Sequence, residues 1–265
     1  MASSLPPEQS DQFRQGMIFM HRGQYEKAQR CLSGALDEER QTGDPSRIIP
    51  ILLNLGNASA SSGNRHHAAE CYREVLALLK LCPDNKIAGE TLVNLGNTFR
   101  ENNDIERARA YYLEAADLLE EGMDDVSRGI LFSNWGLLEQ QSESLDDAIE
   151  LFTKALDVHK KTGNEEGLAA TWGRLGRVYA RIGEDKHAET CFNYASTHFF
   201  HIGDPAGEAE ALRCLASLYE RRDDHELARM CITKVFDLHR RYQLPQPDED
   251  HVQRERLKIS STQRP

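Results

Sequence analysis

A period of 40 residues runs through most of this 265-residue chain: Gly16, Gly56, Gly96, Gly136 and Gly176 recur at that step, and Ala216 takes the sixth place. Twelve residues after each stands an alanine, namely Ala28, Ala68, Ala108, Ala148, Ala188 and Ala228. Four residues beyond each alanine comes a large apolar group: Leu32, Tyr72, Tyr112, Phe152, Phe192 and Ile232. A small residue at a fixed place lets two helices approach closely, and a large one fills the space beside them. Repetition of this kind specifies a stack of similar units, none of which can bury its apolar face alone.

Each unit reads as two helices. In the fifth, Leu168, Trp172, Leu175, Val178 and Tyr179 recur at helical spacing, Gly183 interrupts, and the pattern resumes around Ala188. Longer breaks, TGDP from Thr42, CPDN from Cys82, TGNE from Thr162 and IGDP from Ile202, again fall in multiples of 40 residues. Glycine there suits a left-handed C-terminal cap, Asp or Asn caps the next helix, and proline fits its first turn.

Charge and hydropathy patterning narrow the class of protein. Lys and Arg number 32 against 43 Asp and Glu, a net charge of -11, which argues against a nucleic-acid partner because phosphate binding needs a basic surface. The first residues lack a basic region followed by an apolar run, and no stretch of 18 apolar residues occurs, so neither secretion nor membrane insertion is expected. The expectation is a cytoplasmic protein with a disordered N-terminus over residues 1–8, repeats over 9–243, and a linker and tail over 244–265. In that tail Val252, Arg256 and Ile259 form one helical stripe, which either caps the last unit or serves as a free partner-binding segment.

Leu or Trp before glycine, Tyr or Phe three residues after it, then alanine and an aromatic, resembles the tetratricopeptide repeat, most closely from Arg174 to Phe192. The family's usual period is about 34 residues, so this chain resembles its long-repeat branch, found in polarity scaffolds of the Pins/LGN type, kinesin light chains and some bacterial peptide-pheromone receptors. Ser59 and Glu139 stand at the aromatic position in two units, and the last unit lacks its glycine. The resemblance implies an all-α, right-handed superhelical solenoid of six helix-turn-helix repeats.

It also implies that the first helix of each unit lines a concave groove, with the residues two before and one after the glycine facing it. Asn54, Asn57, Asn94, Asn97 and Asn134 occupy such places, and Arg174, Arg177, Arg181, Arg213 and Arg221 fill equivalent or neighbouring ones later in the chain. A carboxamide carries both a donor and an acceptor, so a ladder of them can pair with the backbone of an extended peptide. Alternatively the asparagines satisfy one another or nearby backbone. Arginines grip carboxylates bidentately, which makes an acidic segment the natural partner, unless they pair locally with Glu210 and Glu220. The carboxylate clamp of co-chaperone tetratricopeptide domains is matched only at Asn97, Asn134 and Arg174. Its two lysine places hold Val93 and Ala170, so a chaperone adaptor is not expected.

His67 with Cys71, and His187 with Cys191, have the spacing that puts two ligands on one helix face. Yet Cys31, Cys71, Cys191 and Cys231 all share one repeat position, just before the large apolar residue, where a small side chain suits packing. Neither metal, cofactor nor disulfide is expected. The chain has no phosphate-cradling glycine loop, nucleophile elbow or zinc-protease motif, so no catalytic residue is assigned. The expected function is a non-enzymatic scaffold that holds an extended or helical segment of a partner protein. The alternative is a regulatory receptor whose superhelix changes on binding a short peptide.

Overall fold

The computed structural model describes residues 10–121 and 125–245, and every regular element among them is a helix. Twelve helices among the described residues pair as six hairpins. They are α1 (Asp11–His21) with α2 (Tyr25–Arg40), α3 (Pro45–Ser61) with α4 (Arg65–Leu79), and α5 (Asn85–Glu101) with α6 (Ile105–Glu121). Next come α7 (Asp125–Gln141) with α8 (Leu145–Thr162), α9 (Glu165–Ile182) with α10 (Asp185–Ile202), and α11 (Pro205–Arg221) with α12 (His225–Tyr242). The chain divides into two compact units, residues 1–127 and 128–265. The N-terminal stretch of residues 1–8 and the stripe of Val252, Arg256 and Ile259 lie outside the described residues.

Local chemistry sets the starts. The side chains of Asp44, Asp84, Asn164 and Asp204 accept backbone N–H bonds from Ser46, Ile87, Gly167 and both Ala206 and Gly207, at 2.9–3.1 Å. These are four of the caps expected from the turn segments, and Pro45 and Pro205 open α3 and α11, where their missing N–H is no loss. Within the hairpins, the residue two before each second helix is left-handed in all six cases. Gly23, Gly63 and Gly183 take it without strain, whereas Asn103, Glu143 and Asp223 adopt φ of 59°, 66° and 59°. Three side chains therefore accept a conformation that costs an L-residue roughly 1 kcal/mol.

Packing follows the 40-residue register. All six repeat alanines are 0% exposed, and Leu32, Tyr72, Tyr112, Phe152, Phe192 and Ile232 are at most 2% exposed. A Cβ placed on Gly56 would lie 2.5 Å from Tyr72 Cε1, and one on Gly96 would lie 2.4 Å from Tyr112 Cε1. In the second unit the equivalent contacts are Gly136 with Phe152 and Gly176 with Phe192, both 2.7 Å. The ring lies against the glycine, and no larger residue fits without displacing it.

In three hairpins an aromatic residue three after the glycine packs against the residue eight further on. Lys27 stands over the Phe19 ring, Arg107 over Phe99 at 4.5 Å, and His187 stacks on Tyr179 at 5.1 Å. Ser59 keeps the same relation by polar means: its hydroxyl donates to Leu55 O at 2.7 Å and lies 2.9 Å from His67 Nδ1. Buried Glu139 accepts from the Trp135 indole at 2.9 Å and from Ser142 at 3.0 Å. Both irregular positions are thus satisfied rather than left as defects.

Candidate peptide-binding faces

On the first unit, α3 and α5 present Asn54, Asn57, Asn94 and Asn97, all half-buried. Tyr72 Oη donates to Asn57 Oδ1 at 2.7 Å, and Tyr112 Oη donates to Asn97 Oδ1 at the same distance. The ring that lies against the glycine of each hairpin therefore ends at the asparagine one residue later. Asn94 Nδ2 donates to Asn57 Oδ1 at 3.4 Å, joining α5 to α3. Asn54 instead turns to its own helix, donating from Nδ2 to Pro50 O at 2.8 Å. Burial pushes the Tyr112 hydroxyl up to about 12 and Tyr72 higher still, so both remain protonated donors at neutral pH.

The second unit carries Asn134 on α7, Arg174, Arg177 and Arg181 on α9, and Arg213 on α11. Asn134 is half-buried and makes no side-chain hydrogen bond among the described residues. Arg177 and Arg213 meet at Glu210, Arg213 at 2.7 Å and Arg177 at 3.8 Å. Arg213 also donates to His239 Nε2 at 3.0 Å, which requires that imidazole nitrogen to be unprotonated. Arg181 reaches back to the preceding hairpin, donating to Gln140 O at 3.3 Å and pairing with Glu143. Arg221 repeats that arrangement one hairpin later, with Ala180 O at 3.0 Å and Asp185 at 2.6 Å. These two arginines tie consecutive hairpins together and cap the carbonyl end of the preceding first helix.

Arg174 lies close enough to His159 to oppose its protonation. Burial and that guanidinium, in that order, hold His159 below the ordinary imidazole range. The ring is 2% exposed and wedged between glycines: Cβ atoms on Gly129 and Gly167 would approach it to 2.6 and 2.5 Å. All six cysteines are free thiols. Burial raises Cys71 and Cys231 to about 11 and Cys191 to about 12, so these sulfurs are packing groups rather than thiolates at neutral pH. Among the described residues no group of three or more His, Cys, Asp or Glu is placed to hold a metal ion, and no helix is long and apolar enough to cross a membrane.

Sequence reasoning missed Tyr72 and Tyr112 as partners of the asparagines. The signal was present: asparagine follows the repeat glycine only in the two hairpins whose large second-helix residue is tyrosine.

No curated protein matches the chain. Among solved structures, BtubC (BKLC) from P. vanneervenii is 18% identical over 84% of this chain and 94% of its own, with a TM-score of 0.75. PilF of Pseudomonas aeruginosa is 20% identical over 93% of this chain and 95% of its own, with a TM-score of 0.62. A signal transduction ATPase with numerous domains and a tetratricopeptide repeat sensor, from Pyrococcus horikoshii, is 15% identical over 94% of this chain, with a TM-score of 0.78; the match spans 38% of that longer protein. Such identities speak for a shared all-α repeat fold. The tetratricopeptide repeat family model matches residues 49–121 and 127–197, more than half of the chain, and the chain belongs to that family.

Proposed function

We propose that this protein is a non-enzymatic scaffold whose first-helix faces receive an extended or helical segment of a partner protein. The observation that carries this reading is the unspent hydrogen-bonding capacity on α3 and α5. Asn57 and Asn97 each commit the carbonyl end of the amide to a tyrosine and keep Nδ2 without a partner among the described residues. A half-buried amide N–H held in place by a packed ring is pre-organised for a ligand, because little side-chain freedom remains to be lost on binding. In the second unit Arg177 supports a preference for acidic segments. Its pair with Glu210 is long at 3.8 Å and the two side chains are 45% and 54% exposed, so exchanging that carboxylate for one from a partner costs little.

The test uses the full chain in affinity capture. Asn57→Asp and Asn97→Asp keep an oxygen for each tyrosine but replace the outward N–H₂ with a carboxylate oxygen. A protein recovered by the wild-type chain and lost with this double variant is the expected result. Arg177→Glu should discriminate further, weakening an acidic partner more than a neutral one. Equal recovery of every partner by all three proteins would show that these faces are not the site.

A further inference from the structure

The end of α8 and the start of α9 meet at one buried imidazole. His159 Nδ1 lies 3.3 Å from Asn164 Nδ2, and the other end of that amide, Oδ1, accepts from Gly167 N at 2.9 Å as the N-terminal cap of α9. The cap fixes the orientation of the carboxamide: only oxygen can accept the Gly167 N–H, so the nitrogen faces the ring. An amide N–H can only donate. Nδ1 is therefore the acceptor, and the neutral ring carries its proton on Nε2.

A proton on Nδ1 breaks this arrangement. It sets an N–H against the Asn164 N–H₂, and the ring has no room to move aside, being 2% exposed and lodged between Gly129 of α7 and Gly167 of α9. The amide can meet the new donor by turning Oδ1 to the ring, but Nδ2 then faces the Gly167 N–H and the cap is lost. The surroundings oppose the charge. His159 stands in the last turn of α8, where the helix dipole favours a cation, yet burial and the Arg174 guanidinium of α9 outweigh it. Elsewhere on α9, Glu165 is held by His198 at 2.6 Å and Glu166 is exposed. Lys160 and Lys161 of α8 are exposed, and α7 carries Arg128 beside Gly129 and Asp125 one turn earlier.

The other caps supply a comparison. Asp44, Asp84 and Asp204 accept only, and they stand five residues after Glu39, Leu79 and Phe199. Asn164 stands five residues after His159. Of these four joints, the one cap that can donate to an imidazole is the one beside an imidazole.

We propose that His159 and Asn164 form an acid-sensitive joint, in which protonation of the imidazole turns the Asn164 amide and releases the N-terminal cap of α9. The joint belongs to the fold and needs no partner. Because α9 also carries Arg177, acid alters the second-unit face as well, a consequence that rests on the scaffold reading above.

The test is NMR on the labelled full chain between neutral and mildly acid pH. It reads the His159 ring nitrogens and the exchange protection of the Gly167 amide, corrected for the intrinsic pH dependence of exchange. The neutral ring should carry its proton on Nε2 and gain the second below about 6.5. Over the same range Gly167 protection should fall about three- to tenfold, the effect of losing one cap. The Ile87 amide, capped by Asp84, should keep its protection. His159→Leu should make Gly167 protection independent of pH across this range. Asn164→Asp keeps a cap oxygen and adds an acceptor for Nδ1–H, so the ring should titrate at higher pH while Gly167 stays protected. The joint is refuted if Nδ1 carries the proton at neutral pH, if the ring titrates without a change at Gly167, or if His159→Leu retains the pH dependence. Unfolding of the whole second unit before Gly167 responds would refute it too. A captured partner held equally across the range, by a chain whose joint responds, would refute the effect on the face alone.

Discussion

The second and third hairpins place asparagine after the repeat glycine and tyrosine against it, as Asn57 with Tyr72 and Asn97 with Tyr112, whereas the fourth and fifth place Leu137 with Phe152 and Arg177 with Phe192. The four rings occupy the same packed position, each at most 2% exposed and each within 2.7 Å of where a glycine Cβ would stand. What differs is the far end of the ring. A hydroxyl carried into that site must find an acceptor, because an unsatisfied buried hydroxyl costs about 1–3 kcal/mol, and the residue after the glycine supplies it. Where the ring ends in hydrogen no acceptor is needed, and the position is released to leucine or to an arginine directed at Glu210. The chain thus carries its own control: ring and acceptor change together while the backbone register stays fixed.

The contact common to both regions should give the largest effects. Gly96→Leu and Gly176→Leu each force a side chain into a ring and should destabilise by about 1–3 kcal/mol or more, measured by urea denaturation. Ser61→Leu, on an exposed site of α3, should leave the midpoint nearly unchanged. Equal midpoints for the three would show that the glycine register is not what closes the hairpins.

Next in size is a change that separates the regions. Phe152→Tyr puts a hydroxyl where Leu137 offers no acceptor, and should cost about 1–2 kcal/mol. The same ring with the same hydroxyl is native at Tyr112, beside Asn97. A Phe152→Tyr chain as stable as wild type would mean that the hydroxyl finds another partner and that the asparagine is not required for it.

Histidine distinguishes the units by pH. His159 stands where the first unit has Leu79 and Leu119, is buried, and has its pKa held down by burial and Arg174; its Nδ1 lies 3.3 Å from the Asn164 amide. A lowered pKa means that the unfolded chain takes up a proton before the folded one does. Its contribution is complete above the ordinary imidazole value of about 6.5 and is lost progressively as pH falls below that, through the folded pKa. His159→Leu should flatten the fall in urea midpoint over that acid range. An unchanged slope would show that this ring does not govern it.

The smallest expected effect belongs to the arginine ties. Arg221 bonds Ala180 O and Asp185 with half its side chain exposed, so Arg221→Met should cost about 0.5–1 kcal/mol, and added salt should shrink the difference. A loss of several kcal/mol would make this tie a principal support of the second unit.

The 40-residue spacing of glycine, alanine and large apolar groups made the six hairpins legible, and the turn segments announced the caps at Asp44, Asp84, Asn164 and Asp204. Both signals are local or strictly periodic. The asparagine partners are neither: Tyr72 lies 15 residues from Asn57, across a hairpin, and reasoning from one helix face cannot place it. Arg181 and Arg221 were assigned to the groove from their position on the first helix. Their partners lie 36 to 41 residues back, in the preceding hairpin, a distance set by stacking rather than by helix geometry. The left-handed turns at Asn103, Glu143 and Asp223 were hidden as well, because hairpin geometry imposes a conformation that these residues do not advertise.

The most direct measurement is a double-mutant cycle that copies the pair of the fourth hairpin into the third: Asn97→Leu, Tyr112→Phe, and the two together, each followed by urea denaturation. Asn97→Leu alone removes the acceptor of the Tyr112 hydroxyl proton and should cost about 1–3 kcal/mol, and adding Tyr112→Phe should recover most of that loss. The expected outcome is a double variant more stable than Asn97→Leu by about 1 kcal/mol or more. A double variant whose loss equals the sum of the two single losses would contradict the coupling of ring and acceptor, and would leave the asparagines of the first unit without the structural anchor that holds their orientation.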